Sequence, residues 1–171
     1  MVSFKSLFEA PAQHEARVGT VGIAVYTRQI IVSVPWWKQE EILRPLETPP
    51  YKVLVRSGHN VGKSFAAAAV ACHSHECKRG LTIVTAPTRY SLEDILFQEI
   101  RTHRPGLRGL MPAATYAKVR PKWFLLGYTA SSGESFAGRH ADRMTLINDE
   151  ATGIDPIYFE VGKSMFTGAP G

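Results

Sequence analysis

The chain has 171 residues, 44% of them hydrophobic, and a formal net charge of +5. That length builds one domain with a real core, and this composition excludes a disordered or fibrous chain. No N-terminal stretch has the apolar core of a signal peptide, nothing is long enough to span a membrane, and the positive charge leans toward a polyanionic partner such as nucleic acid.

Residues 1–34 carry no recognisable chemistry, and within them the β-branched stretch 21–34 predicts a strand or hairpin. Pro35-Trp36-Trp37-Lys38-Gln39 leads into a short helix over 40–46, which Pro49-Pro50 ends. Residues 51–55 predict a short strand, 57–62 a loop and 63–77 a strong helix, with Gly80 as its stop. Cys72, His73, His75 and Cys77 raise the idea of zinc. A helix turns the two cysteines to different faces, and no second pair of ligands exists, so no metal is assigned there. Two thiols without a disulfide framework fit a reducing cytoplasm.

Residues 81–86 form a continuously apolar run, read as a strand buried on both faces. After Pro87, residues 91–103 predict an amphipathic helix with Leu92, Ile95, Leu96 and Ile100 on one side. Residues 105–121 read as loop, 123–128 as a strand, 131–140 as a polar connection, 143–148 as a strand and 156–165 as a helix. Strands alternating with helices predict an α/β layered fold.

Ser57-Gly58-His59-Asn60-Val61-Gly62-Lys63-Ser64 stands between a predicted strand and a predicted helix, the context a phosphate-binding loop requires. Gly62 lets the backbone approach phosphates, while loop N–H groups and the positive helix terminus face the anion. Lys63 is placed to reach the β- and γ-phosphates of ATP, and the Ser64 hydroxyl to bind Mg²⁺. The spacing departs from the usual one: it asks for glycine at position 57, and the chain has Ser57 followed by Gly58. Asp149 and Glu150 close an apolar strand, at the end where open α/β sheets bind ligands. Asp149 can hold Mg²⁺ and Glu150 can polarise the attacking water.

Together, Trp36 to Gln39, Arg56 to Ser64, Thr85 to Arg89, Glu134 to His140 and Leu146 to Ala151 resemble, in this order, the large terminase subunit of tailed bacteriophages. The resemblance covers about residues 35–168. It implies a P-loop NTPase three-layer sandwich with a mostly parallel central sheet, over residues 35–171. It implies ATP hydrolysis with Mg²⁺, coupled to double-stranded DNA translocation by a ring of identical subunits in the host bacterial cytoplasm. Portal protein and a small terminase subunit are the implied partners. Gln39 would hydrogen-bond the adenine edge beside Trp36 or Trp37. Either His59 or Arg56 would sense the γ-phosphate. Thr85 to Arg89 also resembles a strand-end motif of superfamily-two helicases, which would place Arg89 near the DNA backbone. The family's nuclease domain is absent from residues 1–171. So is a further strand, ending in a Gly-Asn-Pro turn, that lies between those carrying the phosphate loop and the acidic pair. The sheet is therefore expected to be incomplete at the C-terminus, and weak or no turnover is expected of residues 1–171 alone. A helicase-like translocase and a non-catalytic nucleotide-binding remnant are the alternatives.

Overall fold

The computed structural model describes residues 21–31, 33–48, 52–58, 60–129, 139 and 141–166. The described residues form an α/β fold around a four-stranded mixed sheet, with strands β1 (Leu81–Ala86), β2 (Tyr116–Arg120), β3 (Trp123–Thr129) and β4 (Met144–Asn148). The spatial order is β2-β3-β1-β4. β1 pairs in parallel with β3 and β4, and β2 runs antiparallel to β3 at one edge. All six residues of β1 are buried, Thr82 and Thr85 included, as its largely apolar run predicts for a central strand.

Helices cover both faces. On one, Val84, Ala86 and Leu125 pack with Ala68, Cys72, Leu96, Phe97 and Ile100 from α3 (Lys63–His73), the segment Ser91–Leu96 and α4 (Phe97–His103). On the other, Leu81, Ile83, Leu126 and Leu146 meet Tyr158, Val161 and Met165 of α5 (Pro156–Phe166). The alternation follows from the two-residue period of a strand. Gly162 lets α5 lie close, since a Cβ there would stand 2.5 Å from a methyl of Leu146.

The structure corrects several expectations. Residues 21–34 do not form a strand: Ile23–Gln29 is a helix, α1. Its buried residues Ile23, Tyr26 and Thr27 face one way, and Tyr26 packs edge-on against His73 of α3 at 5.3 Å. Tertiary packing overrides the β-branched propensity. The next helix, α2, spans Trp37–Leu43 and passes into a 3₁₀ turn over Arg44–Glu47, where Pro45 permits the tighter start. The helix expected over 63–77 is α-helical to His73 and then widens into a π-turn over Ser74–Lys78. Ser91–Leu96 is likewise π-helical. Residues 105–121 are not all loop, because they contain β2. No strand forms over Lys52 to Val55, and Leu54 is 91% exposed. Among the described residues these have no ladder partner, and β4 is the sheet edge on that side. A strand has no stability without a neighbour to pair with.

Candidate functional site

The loop before α3 enters it through two left-handed residues, Asn60 (φ 58°) and Gly62 (φ 81°). Asparagine tolerates that region and glycine favours it. Gly62 is also the N-cap of α3, so Lys63 and Ser64 open its first turn. A Cβ at Gly62 would lie 2.2 Å from Gln39 Nε2. A larger residue would push the Gln39 amide aside, and the left-handed backbone itself favours glycine.

α2 is fastened onto this loop. Gln39 Nε2 donates to the Gly62 carbonyl at 3.5 Å, and Gln39 Oε1 accepts from the Trp36 N–H at 3.1 Å. Trp36 Nε1 donates to the Val61 carbonyl at 3.3 Å. The two tryptophan rings meet edge-to-face at 5.9 Å, and both remain exposed. Lys63 Nζ donates to the Gly58 carbonyl at 2.6 Å, across the loop. Ser57 Oγ donates to the neighbouring Gly58 carbonyl at 3.5 Å. His59 lies outside the described residues, as does the expected connection over 131–138 and His140.

The acidic pair reaches the same place from the sheet. The Asp149 N–H donates to the Thr85 carbonyl at 2.9 Å, extending the β1–β4 ladder by one residue. Beneath it, the Thr85 hydroxyl donates to Asn148 Oδ1 at 2.7 Å and ties the two strand ends together. Ser64 Oγ then donates to Asp149 Oδ2 at 3.2 Å, across 85 residues of sequence. Glu150 is left-handed (φ 50°), a strained setting for a residue with a Cβ. Its N–H donates to Asp149 Oδ1 at 3.1 Å, and its own carboxylate accepts from Ser91 Oγ at 3.2 Å. Ser91 is held in turn by Thr88, whose Oγ1 accepts the Ser91 N–H at 3.0 Å.

Lys63, Ser64, Asp149 and Glu150 thus gather at the carboxyl ends of β1 and β4. Sequence reasoning missed Ser91, which it read only as a helix start. The visible signal was the Thr88-x-x-Ser91 cap, although nothing local points it at Glu150. Arg89 is largely exposed and pairs with Glu93 at 2.8 Å, a surface ion pair of small worth. Among the described residues no group of three His, Cys, Asp or Glu side chains is arranged to hold a metal. His73 and His75 instead bond to the carbonyls of Val21 and Arg108, both at 2.9 Å. A metal at the loop would rest on a hydroxyl and a carboxylate, the hard oxygen donors Mg²⁺ takes.

Asp149 is only 7% exposed, and its carboxyl pKa is raised. Burial is the main cause and the nearby Glu150 adds to it, while Ser64, the Glu150 N–H and Lys63 oppose it. A raised folded-state pKa means that the fold holds this proton more tightly than the unfolded chain does. Stability from this group is therefore full at low pH and is lost as pH rises through the raised value. Asp149→Asn, which keeps an oxygen acceptor, is expected to raise Tm at pH 7. That advantage should shrink as pH falls through the raised value, in thermal melts recorded across the acid range.

The chain is similar to a protein described as "Probable terminase, large subunit" from Enterobacteria phage P7, with 27% identity over 148 residues. The match covers 78% of this chain and 30% of that protein, so the chain spans about a third of its relative's length. No family model matches the chain, and no solved structure matches it. Among the described residues, no helix is long and apolar enough to cross a membrane. The likeness makes the chain terminase-like, at low identity and over part of the relative.

Proposed function

We propose that the chain is a P-loop nucleotide-binding unit, the ATPase portion of a phage DNA-packaging motor of the terminase large-subunit type. The observation that carries this reading is the Ser64 hydroxyl within 3.2 Å of the Asp149 carboxylate, at the joint of a helix start and a strand end. A phosphate loop and a magnesium-holding acid have to meet this way to serve one bound Mg²⁺·ATP.

In the proposed mechanism the loop N–H groups from Gly58 to Ser64 and the N-terminus of α3 receive the phosphates. Lys63 turns from the Gly58 carbonyl to the β- and γ-oxygens. Gln39, with Trp36 and Trp37 beside it, takes the adenine. Arg56 or His59 senses the γ-phosphate. Ser64 and Asp149 hold Mg²⁺, which when bound neutralises charge developing on the phosphate oxygens. Glu150, aimed by Ser91, orients and polarises the water. The likeness to a terminase supports coupling to double-stranded DNA, assembly into a ring, and contact with portal protein and a small subunit, with Arg89 proposed as a DNA contact.

One observation favours a second reading. The segment entering the loop, Lys52 to Val55, is exposed and unpaired among the described residues. A loop without that anchor fits a unit that binds nucleotide and turns it over poorly. Calorimetric titration of the 171-residue chain with ATP, with and without Mg²⁺, tests the proposal. Saturable binding that Mg²⁺ strengthens is expected. No binding under either condition would overturn it.

A further inference from the structure

A second charged feature lies at the other end of the sheet. A concavity of about 360 Å³ is lined by Lys78, Arg79, Lys122 and Arg143, with the carboxylate of Asp142 beside them. It sits where the amino ends of β1 and β4 and the β2–β3 turn come together. The nucleotide-loop residues and the acidic pair stand at the carboxyl ends of the same strands.

The wall is rigidly built. The Leu81 N–H donates to the Arg143 carbonyl at 2.9 Å, and the Phe124 N–H to the Gly80 carbonyl at 3.2 Å. A Cβ on Gly80 would stand 2.1 Å from the Arg143 carbonyl oxygen, so two backbones are in contact at the floor. Two of the four cations are held in left-handed backbone, Arg79 at φ 54° and Lys122 at φ 65°. Asparagine or glycine would sit at either place with less strain. Burial keeps the Lys78 ammonium below its ordinary pKa.

More positive charge converges beside it. The guanidinium groups of Arg79, Arg108 and Arg120 lie 5.6, 5.8 and 5.2 Å from the ring of Trp123. That indole is 4% exposed and is pinned by a bond from Nε1 to the His75 carbonyl at 2.7 Å. The π-face offsets some of the repulsion among the three arginines. Crowded cations on a fixed wall, two of them strained, match an anionic ligand with several phosphates spaced along a chain.

We propose that this concavity binds the phosphodiester backbone of a nucleic acid, with Lys78, Arg79, Lys122 and Arg143 as its phosphate contacts. The shared chemistry is a run of phosphates, which a free polyphosphate also presents. The site stands apart from the phosphate loop, so it holds or fails whether or not the nucleotide reading does.

The test is polarisation of a labelled mixed-sequence DNA duplex titrated with the 171-residue chain, over a series of salt concentrations. Lys122→Gly removes an ammonium and puts a favoured residue at the left-handed position, so the fold should hold or gain. Combined with Arg143→Gln, it is expected to raise the duplex Kd at least about tenfold and to lower the salt slope by about 1 for each cation removed. Thermal melts of both variants check folding, and Arg44→Gln, at a cation 79% exposed beyond α2, is expected to leave duplex binding unchanged. Unchanged Kd and slope in the folded double variant would overturn the proposal. So would an equal loss of duplex binding caused by Arg44→Gln. Tripolyphosphate is expected to displace the duplex only at far higher phosphate concentration. Displacement at equal phosphate concentration would reject the backbone assignment in favour of a free anion.

Discussion

Lys63→Ala is expected to weaken Mg²⁺·ATP binding about 10- to 100-fold, whereas Glu150→Gln is expected to leave binding nearly intact. The two residues stand in the same small volume but would act at different stages. Lys63 would offer its ammonium to phosphate oxygens, and a charge-assisted hydrogen bond is worth about 1.5–3 kcal/mol. Alanine suits the first turn of α3, so the helix should persist without the lysine. Glu150 makes no demand on the phosphates. Its neutral amide keeps an acceptor for Ser91 Oγ and loses the ability to polarise water. Any turnover the chain supports should fall about 10²- to 10⁴-fold in Glu150→Gln. Parallel titration calorimetry and phosphate release separate the two effects. Equal loss of binding in both variants would contradict the division of labour.

Glu76→Ala is expected to be the most destabilising of the substitutions considered. Glu76 sits in the π-turn after α3 and accepts from Arg104 twice, Nε at 3.0 Å and Nη2 at 2.9 Å. It also accepts from the Tyr26 hydroxyl. Tyr26 is fully buried, and the Arg104 and Glu76 side chains are 18% and 10% exposed. One carboxylate therefore joins α1, the end of α3 and the end of α4. Its removal leaves a guanidinium and a phenol without their acceptor in a nearly dry place. Breaking a buried pair this way costs about 3–5 kcal/mol, against a total stability of about 5–15 kcal/mol for a domain. Tyr26→Phe removes one hydrogen bond and should cost only about 1 kcal/mol. Urea midpoints of the three proteins give the comparison. Similar midpoints for Glu76→Ala and the wild type would show that the helices are held by packing alone.

The layered α/β plan was legible because β1 and β4 are apolar enough to be strands and nothing else. Leu81 to Ala86 leaves no polar face, and Asp149 and Glu150 interrupt the second run where the sheet ends. What was not legible depended on partners far away in sequence. Residues 23–29 carry β-branched side chains, yet Ile23, Tyr26 and Thr27 find a helical wall to pack on. Lys52 to Val55 has a strand's composition, yet no neighbour pairs with it among the described residues. β2 escaped notice because Ala117 is its only fully buried residue, and Lys118 and Arg120 are exposed as edge strands often are. The approach of Ser64 to Asp149 was expected from residue type and position, one at a helix start and one at a strand end. The pairing of Ser91 with Glu150 was not, since it joins residues 59 apart through side chains alone.

In the proposed mechanism Ser64 and Asp149 serve one metal at one triphosphate. The decisive quantity is the gain in ATP affinity that Mg²⁺ gives to the wild type, Ser64→Ala, Asp149→Asn and the double variant. Two ligands of one ion do not contribute independently. Each single variant should therefore lose most of the gain, and the double variant should lose little more. Losses that simply add, or a gain that survives in all four proteins, would contradict the account.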